Sequence, residues 1–210
     1  MTTLLVIAKQ PLPGRVKTRL TPPFTPDQAA ALAEAALADT LTAAARVPAD
    51  RHVLVLDGEP GPWLPPGFQV VPQVAGGLDA RLAAAFAACA GPALLIGMDT
   101  PQVTPARLAP ALSWDAYDAW FGPAADGGFW ALGLARPDPS LLLGVPMSRP
   151  DTGAVQYARL RKAGLRVGRL PVLRDVDTAS DARQVAAAAP GTRFAARYAE
   201  STAATAGAVR

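Results

Sequence analysis

Leu4-Leu5-Val6-Ile7-Ala8, followed at once by Lys9-Gln10-Pro11-Leu12-Pro13-Gly14-Arg15-Val16-Lys17-Thr18-Arg19-Leu20, is the stretch on which the fold turns. Five apolar residues with no polar break are expected of a strand buried on both faces, and such strands belong to parallel sheets covered by helices. The loop behind the strand carries four cations, two prolines and a glycine within twelve residues. Proline stiffens a loop, glycine lets backbone N–H groups approach a ligand, and lysine or arginine holds phosphate oxygens. The glycine and lysine spacing is not that of a Walker A loop. A solvated basic loop is the ordinary alternative. Its place directly after a buried strand favours function, because open parallel sheets bind ligands beyond the carboxyl ends of their strands.

The rest of the chain extends the same pattern. Thr25-Pro26-Asp27 predicts a helix start, with the helix running to about Arg46 before Pro48. Val53 to Leu56 is a second buried run, closed by Asp57-Gly58, and Gln69 to Val71 is a short strand. Leu78 to Ala90 has helical spacing, and Ala93 to Met98 is a third buried run ending at Asp99. Thr104-Pro105 opens a helix to about Leu112, and strands Tyr117 to Phe121 and Phe129 to Leu134 flank a turn at Gly122 to Gly128. Asp151-Thr152 is expected to cap a helix through Lys162, stopped by Gly164, and Ser180-Asp181 to cap another. Leu165 to Leu170 and Val172 to Val176 read as extended, and a last helix follows Gly191. Alternating strands and helices mean an α/β fold with a mostly parallel sheet and helices on both faces. With no repeat and no linker, one domain is expected over residues 1–200, with 201–210 a fraying tail.

Composition narrows the function. The 210 residues carry a net charge of +3 with the arginines spread along the chain, which does not indicate nucleic acid. One histidine and one cysteine, Cys89, leave no internal disulfide and no thiolate or imidazole zinc cage. The apolar runs are too short for an export signal or a membrane span, so a cytoplasmic protein is expected. A lone histidine and no Gly-x-Ser-x-Gly elbow speak against a serine hydrolase, and no Gly-x-Gly-x-x-Gly follows a strand.

The candidate chemistry lies where strands end. Asp99 closes the third buried run, and Asp175-Val176-Asp177-Thr178 forms a second acidic cluster. In an extended segment Asp175 and Asp177 point the same way, and such carboxylates suit Mg²⁺ or Mn²⁺, which take hard oxygen ligands together with substrate phosphate. Helix capping is the plainer explanation for each cluster. Asp126-Gly127-Gly128 is first of all a turn. Gln73 and Gly76, in the Gln73 to Gly77 loop, are weaker candidates for base recognition, and a plain turn explains them as well.

Four stretches in order resemble one family: Lys9-x-Pro11-x-Pro13-Gly14-x-x-Lys17-Thr18-Arg19-Leu20, Gly97-x-Asp99-x-Pro101, Pro123-x-x-Asp126-Gly127-Gly128, and Asp175-Val176-Asp177-Thr178-x-x-Asp181. The chain is similar to the DUF2064 family of GT-A-like proteins, often labelled glycosyltransferases. These in turn resemble the small nucleotidyltransferases of molybdenum-cofactor and 2-phospholactate guanylyltransferase type. The resemblance spans residues 4 to about 181. It implies an α/β/α sandwich with nucleotide over the carboxyl ends of the strands. It also implies phosphate binding by Arg15, Lys17 and Arg19 with Lys9, Gly14 and Thr18 of the same loop, metal binding by Asp99, Asp175 and Asp177, and an acceptor side shaped by Asp126, Gly127 and Gly128. Lys17, Asp99 and Asp126 are the expected catalytic residues. Where relatives tend to show Leu-Gly-Glu-Arg, this chain has Leu78-Asp79-Ala80-Arg81, a departure from the pattern on the base side, whose contacts the resemblance therefore does not fix.

Three functions fit these residues. The first joins the nucleotidyl moiety of an NTP to a small phosphorylated or carboxylate acceptor with release of pyrophosphate, which the dense cationic loop favours. The second transfers sugar from a nucleotide-diphospho-sugar, although Asp99-Thr100-Pro101 lacks a second carboxylate two places on. The third binds nucleotide without catalysis.

Overall fold

The computed structural model describes residues 1–207, with side chains described through residue 204. Its strands are β1 (Thr3–Lys9), β2 (Arg51–Asp57), β3 (Phe68–Pro72), β4 (Ala93–Gly97), β5 (Ala119–Pro123), β6 (Phe129–Leu134) and β7 (Val167–Arg169). The helices are α1 (Pro26–Ala44), α2 (Leu78–Ala87), α3 (Pro105–Leu108), α4 (Thr152–Lys162), α5 (Ala179–Ala188) and α6 (Arg193–Gly207). The strands form one sheet in the order β3-β2-β1-β4-β6-β5-β7. All neighbours are parallel except β6, which runs against both β4 and β5. The expected α/β fold with a mostly parallel sheet is therefore present. Its one reversal arises because β5 and β6 are joined by a turn too short for a parallel crossover.

The apolar runs occupy the middle of the sheet, where both faces are covered. Val6 lies between Leu54 and Ile96 across the three central strands. On one face Leu4, Val6, Leu54 and Leu94 pack with Leu37 and Leu41 of α1 and Leu108 of α3. On the other, Leu5, Val53, Leu95 and Leu132 pack with Phe86 of α2 and Leu160 of α4. Helix α1 has a second buried side: Ala29, Leu32 and Ala36 join Leu20, Phe24, Val176, Val185 and Phe194, with the last two on α5 and α6. Burial on two sides explains its alanine content, since a small residue lets two helix axes approach closely. Asp39 of α1 accepts hydrogen bonds from the backbone N–H of Arg193 (3.1 Å) and Phe194 (2.8 Å), so α1 caps the start of α6.

Several local expectations are corrected. Thr25 caps α1 as expected, with the reciprocal Gln28 contact of a capping box. The next acidic cap differs: α5 is capped by Thr178 in a box with Asp181, two residues before the predicted Ser180. Asp151 makes no cap hydrogen bond, because Arg149 binds both of its oxygens at 2.9 Å. The helix after Thr104 turns to 3-10 geometry at Ala109–Leu112, where Pro110 removes a backbone donor. Val172 to Val176 forms no strand, only a bridge from Leu173 to Ala124. The chain after Glu200 continues as helix to Gly207, and the final residues of the expected tail, 208–210, lie outside the described residues.

Candidate active site

The carboxyl ends of β1, β4 and β5, with the segment beyond β7, meet at one rim of the sheet. The backbone joins them: Val176 donates its N–H to Asp99 O at 3.0 Å, and Ala125 donates to Leu173 O at 2.8 Å. Residues remote in sequence therefore share one rim, as expected where strand ends of a parallel sheet diverge into loops.

Lys17 sits at the centre of this site. Its backbone adopts the left-handed conformation at φ 50° and ψ 36°, which an L-residue rarely holds, just before a 3-10 turn at Thr18–Leu20. Leu20 is buried in the cluster between α1 and α5, which anchors the turn. The Lys17 side chain is only 8% exposed, with Nζ 2.9 Å from Asp99 Oδ1 and 3.3 Å from Asp177 Oδ1. Burial alone would depress its ammonium, but Asp99 and Asp177 outweigh burial and raise its pKa above the ordinary lysine value. Arg19 reaches the other oxygen, Asp177 Oδ2, at 3.4 Å from an exposed position.

Asp175 lies behind these pairs. Burial first, then the negative charges of Asp99, Asp126 and Asp177, push its carboxyl up to about 7 against the pull of Lys17. Its Oδ1 is buried without a hydrogen-bond partner, as are Thr100 Oγ1 and Gln102 Oε1. Gln102 Nε2 donates to Arg174 O at 2.7 Å, holding the acidic segment against the loop after β4. The charges of Asp99, Asp126 and Asp177 thus all bear on Asp175, with Lys17 and Arg19 as the cations paired with Asp99 and Asp177.

This donor set suits the divalent ion that the resemblance implies. Hard carboxylate oxygens are present, one is orphaned in a buried position, and the local charge is negative. The three expected ligands are not gathered around one point, however: among the described residues no group of three acidic, histidine or cysteine side chains could hold a metal as placed. Asp177 has both oxygens in ion pairs with Lys17 and Arg19. Asp99 and Asp175 with substrate phosphate would make the smaller protein contribution usual for Mg²⁺.

The other predicted residues divide into two sets. Lys9 ends β1, Gly14 has φ +72° and open space around it, and Lys9, Arg15 and Thr18 are exposed on the same loop. Lys17, expected to grip phosphate, is instead turned inward. Asp126 is exposed and accepts from Gly128 N–H at 2.8 Å, so it closes its own turn. Gly127 has φ +91°, and a Cβ there would run into the Pro150 carbonyl oxygen. The Gly127 carbonyl accepts from Gly153 N–H at 2.8 Å, which docks the turn on the start of α4. These glycines have a packing reason beside any role toward an acceptor.

Gln73 is bound up with the sheet end, its Nε2 donating to Ala8 O at 2.7 Å and Val55 O at 3.1 Å. Arg81 supports it: the guanidinium reaches Gln73 Oε1 at 3.1 Å, Gly76 O at 3.0 Å and Asp57 Oδ2 at 3.2 Å. Asp57, Thr100 and Gln102 were not among the candidate residues, and Arg81 entered only through the Leu78-Asp79-Ala80-Arg81 stretch. Asp57 and Arg81 carried a faint signal in being charged beside a strand end and a glycine turn. The Gln102 to Arg174 contact spans 72 positions and carried none.

Residues 28–149 match the family described as "Uncharacterized protein conserved in bacteria (DUF2064)". The chain belongs to this family. The match holds Asp99 and the Asp126 turn, while the cationic loop and the Asp175 segment lie outside it. The phosphoenolpyruvate guanylyltransferase of Thermomonospora curvata is 36% identical, with 93% of this chain and 88% of that protein covered. A structure from Desulfovibrio desulfuricans G20, named for nucleotide-diphospho-sugar transfer, is 27% identical with a TM-score of 0.86 and covers 97% of this chain and 96% of its own. Rv0371c of Mycobacterium tuberculosis H37Rv, solved with manganese, is 24% identical over 88% of this chain and 96% of that one, with a TM-score of 0.53, a likeness of fold. The DUF2064 protein described here is a transferase of GT-A-like fold, and a binding module without catalysis is set aside. No helix among the described residues is long and apolar enough to cross a membrane.

Proposed function

We propose that this protein transfers a nucleotidyl group from an NTP to a small phosphorylated or carboxylate acceptor, in the presence of Mg²⁺ or Mn²⁺. The observation that carries the reading is the convergence of Asp99 and Asp177 on Lys17, with buried Asp175 in their field, at the strand ends, beside a loop with unpaired cations. The name of the Thermomonospora curvata relative supports it and makes GTP with phosphoenolpyruvate the first pair to try.

In this reading Asp99 and Asp175, with Asp177 once released from its ion pairs, would hold the metal, which when bound neutralises charge on the phosphates. The exposed Lys9, Arg15 and Arg19, with backbone N–H groups around Gly14, bind and orient the triphosphate. The acceptor oxygen attacks the α-phosphorus in line, and the bond from that phosphorus to its bridging oxygen breaks. Pyrophosphate leaves with the bond electrons. An ionised phosphate or carboxylate acceptor brings no proton to remove, so no general base is required.

The test is pyrophosphate release by the purified protein with each NTP, phosphoenolpyruvate or other small acids, and either metal. Release with one NTP that is acceptor-dependent and lost in Asp99→Asn is expected. Release of a nucleoside diphosphate from a nucleotide-sugar, with no pyrophosphate from any NTP, would overturn the proposal. That outcome would favour the second reading, sugar transfer, which the Desulfovibrio structure supports. In that reaction Asp126, exposed on the acceptor side, would take the proton of an acceptor hydroxyl.

A further inference from the structure

Lys17 is a cation where the expected metal would need carboxylate oxygens. Its Nζ contacts Asp99 Oδ1 at 2.9 Å and Asp177 Oδ1 at 3.3 Å, and Arg19 takes the second oxygen of Asp177 at 3.4 Å. Both oxygens of Asp177 are therefore engaged, while Asp175 Oδ1, in the same cleft, has no partner. The backbone enforces this placement. Lys17 stands in the left-handed conformation between Gly14 at φ +72° and the turn anchored by buried Leu20, so its side chain enters the cleft while Arg15 and Arg19 face solvent. A divalent ion and an ammonium cannot share those oxygens without strong like-charge repulsion.

We infer that Lys17 is a built-in counter-cation: it holds Asp99 and Asp177 together in the metal-free protein, gives way to the divalent ion, and then pairs with the phosphate of the incoming nucleotide. This inference rests on the metal and nucleotide reading of the site. Its consequence is cooperative loading. Metal alone binds weakly because it must displace Lys17 into water, whereas nucleotide phosphate gives the displaced ammonium a new partner. By linkage each ligand then strengthens the other by the same factor.

Two measurements test this without reference to turnover. The first is acylation of lysines in the unaltered protein with acetic anhydride, read by mass spectrometry, with exposed Lys9 and Lys162 as references. Lys17 should react at least about tenfold more slowly than the references without metal, and saturating Mn²⁺ should remove that protection. The second is Mn²⁺ titration followed by electron paramagnetic resonance, with and without non-hydrolysable GTP or CTP analogues. Lys17→Met should bind Mn²⁺ alone about tenfold more tightly than the parent and lose most of the nucleotide-induced gain. Lys17 that stays protected while Mn²⁺ binds, or equal affinities in parent and variant, would overturn the counter-cation role and leave the metal site standing. No Mn²⁺ binding under any condition would overturn both, through the reading on which this one rests. The acylation experiment stands even where the variant fails to fold.

Discussion

The two ends of the sheet treat an aspartate in opposite ways. At the amino ends of β5 and β7, Asp118 accepts from Arg166 three times, from Nε at 2.9 Å, Nη2 at 3.0 Å and the backbone N–H at 2.9 Å. The side-chain and backbone hydrogen bonds from Arg166 pull its carboxyl down to about 2. At the carboxyl ends, Asp175 is buried among Asp99, Asp126 and Asp177, its carboxyl is pushed up to about 7, and one oxygen has no partner. One carboxylate is satisfied by the fold, and the other is held in a place that disfavours its charge. A protein keeps such an arrangement where something bound repays it, and strongly shifted groups in clefts accordingly gather at functional sites.

The largest expected effect separates the ends by activity. Asp99→Asn should lower transfer kcat by at least about 100-fold, the scale of removing one preorganised electrostatic contact, while Asp118→Asn should leave kcat near that of the parent. Comparable losses in both would erase the functional contrast.

The next effect is on stability against pH. The Asp175 carboxyl is raised in the folded state, so between the ordinary carboxyl value of about 4 and about 7 the native protein holds a proton that the unfolded chain has lost. Stability from this group is present at low pH and is lost as pH climbs through that window. In EDTA, Asp175→Asn should therefore gain on the parent by on the order of 3 kcal/mol between pH 4 and pH 8, by denaturant unfolding. A difference that stays flat with pH would show the carboxyl to be ordinary.

Gly127→Ala probes the backbone of the same end. Positive φ and the Pro150 carbonyl both oppose a side chain there, and a loss of about 3 kcal/mol in unfolding free energy is expected. A loss below about 1 kcal/mol would mean that the turn and the start of α4 separate freely. The smallest effect belongs to the satisfied end: Asp118→Ala breaks an exposed pair and should move Tm by no more than about 3 °C. A larger shift would make the amino end the more strained of the two.

Much of the fold was legible locally. The buried strands, the Thr25 cap and the Asp-Gly-Gly turn follow from apolar runs, capping chemistry and glycine, which act within a few residues. Errors fell where neighbours in sequence compete: Asp151 looked like a cap until Arg149 took both its oxygens, and Thr178, not Ser180, closes the box with Asp181. The candidate site was legible as a set of segments. Lys17 was readable as a cation after a strand but not as an inward one, because its direction depends on left-handed backbone and on Leu20 finding α1 and α5. Gln73 and Gly76 looked like recognition residues, and Arg81 binds them into the sheet end.

What the sequence determined by itself is the class of fold and the inventory of charged residues at strand ends, since periodicity and composition are properties of short windows. Tertiary structure decided that β6 would insert between β4 and β5, that α1 would be buried on two sides, and which carboxylates would share Lys17. Those outcomes depend on contacts across as many as 173 positions. Burial and Coulomb energy there are set by distance in space, a quantity that spacing along a chain does not contain.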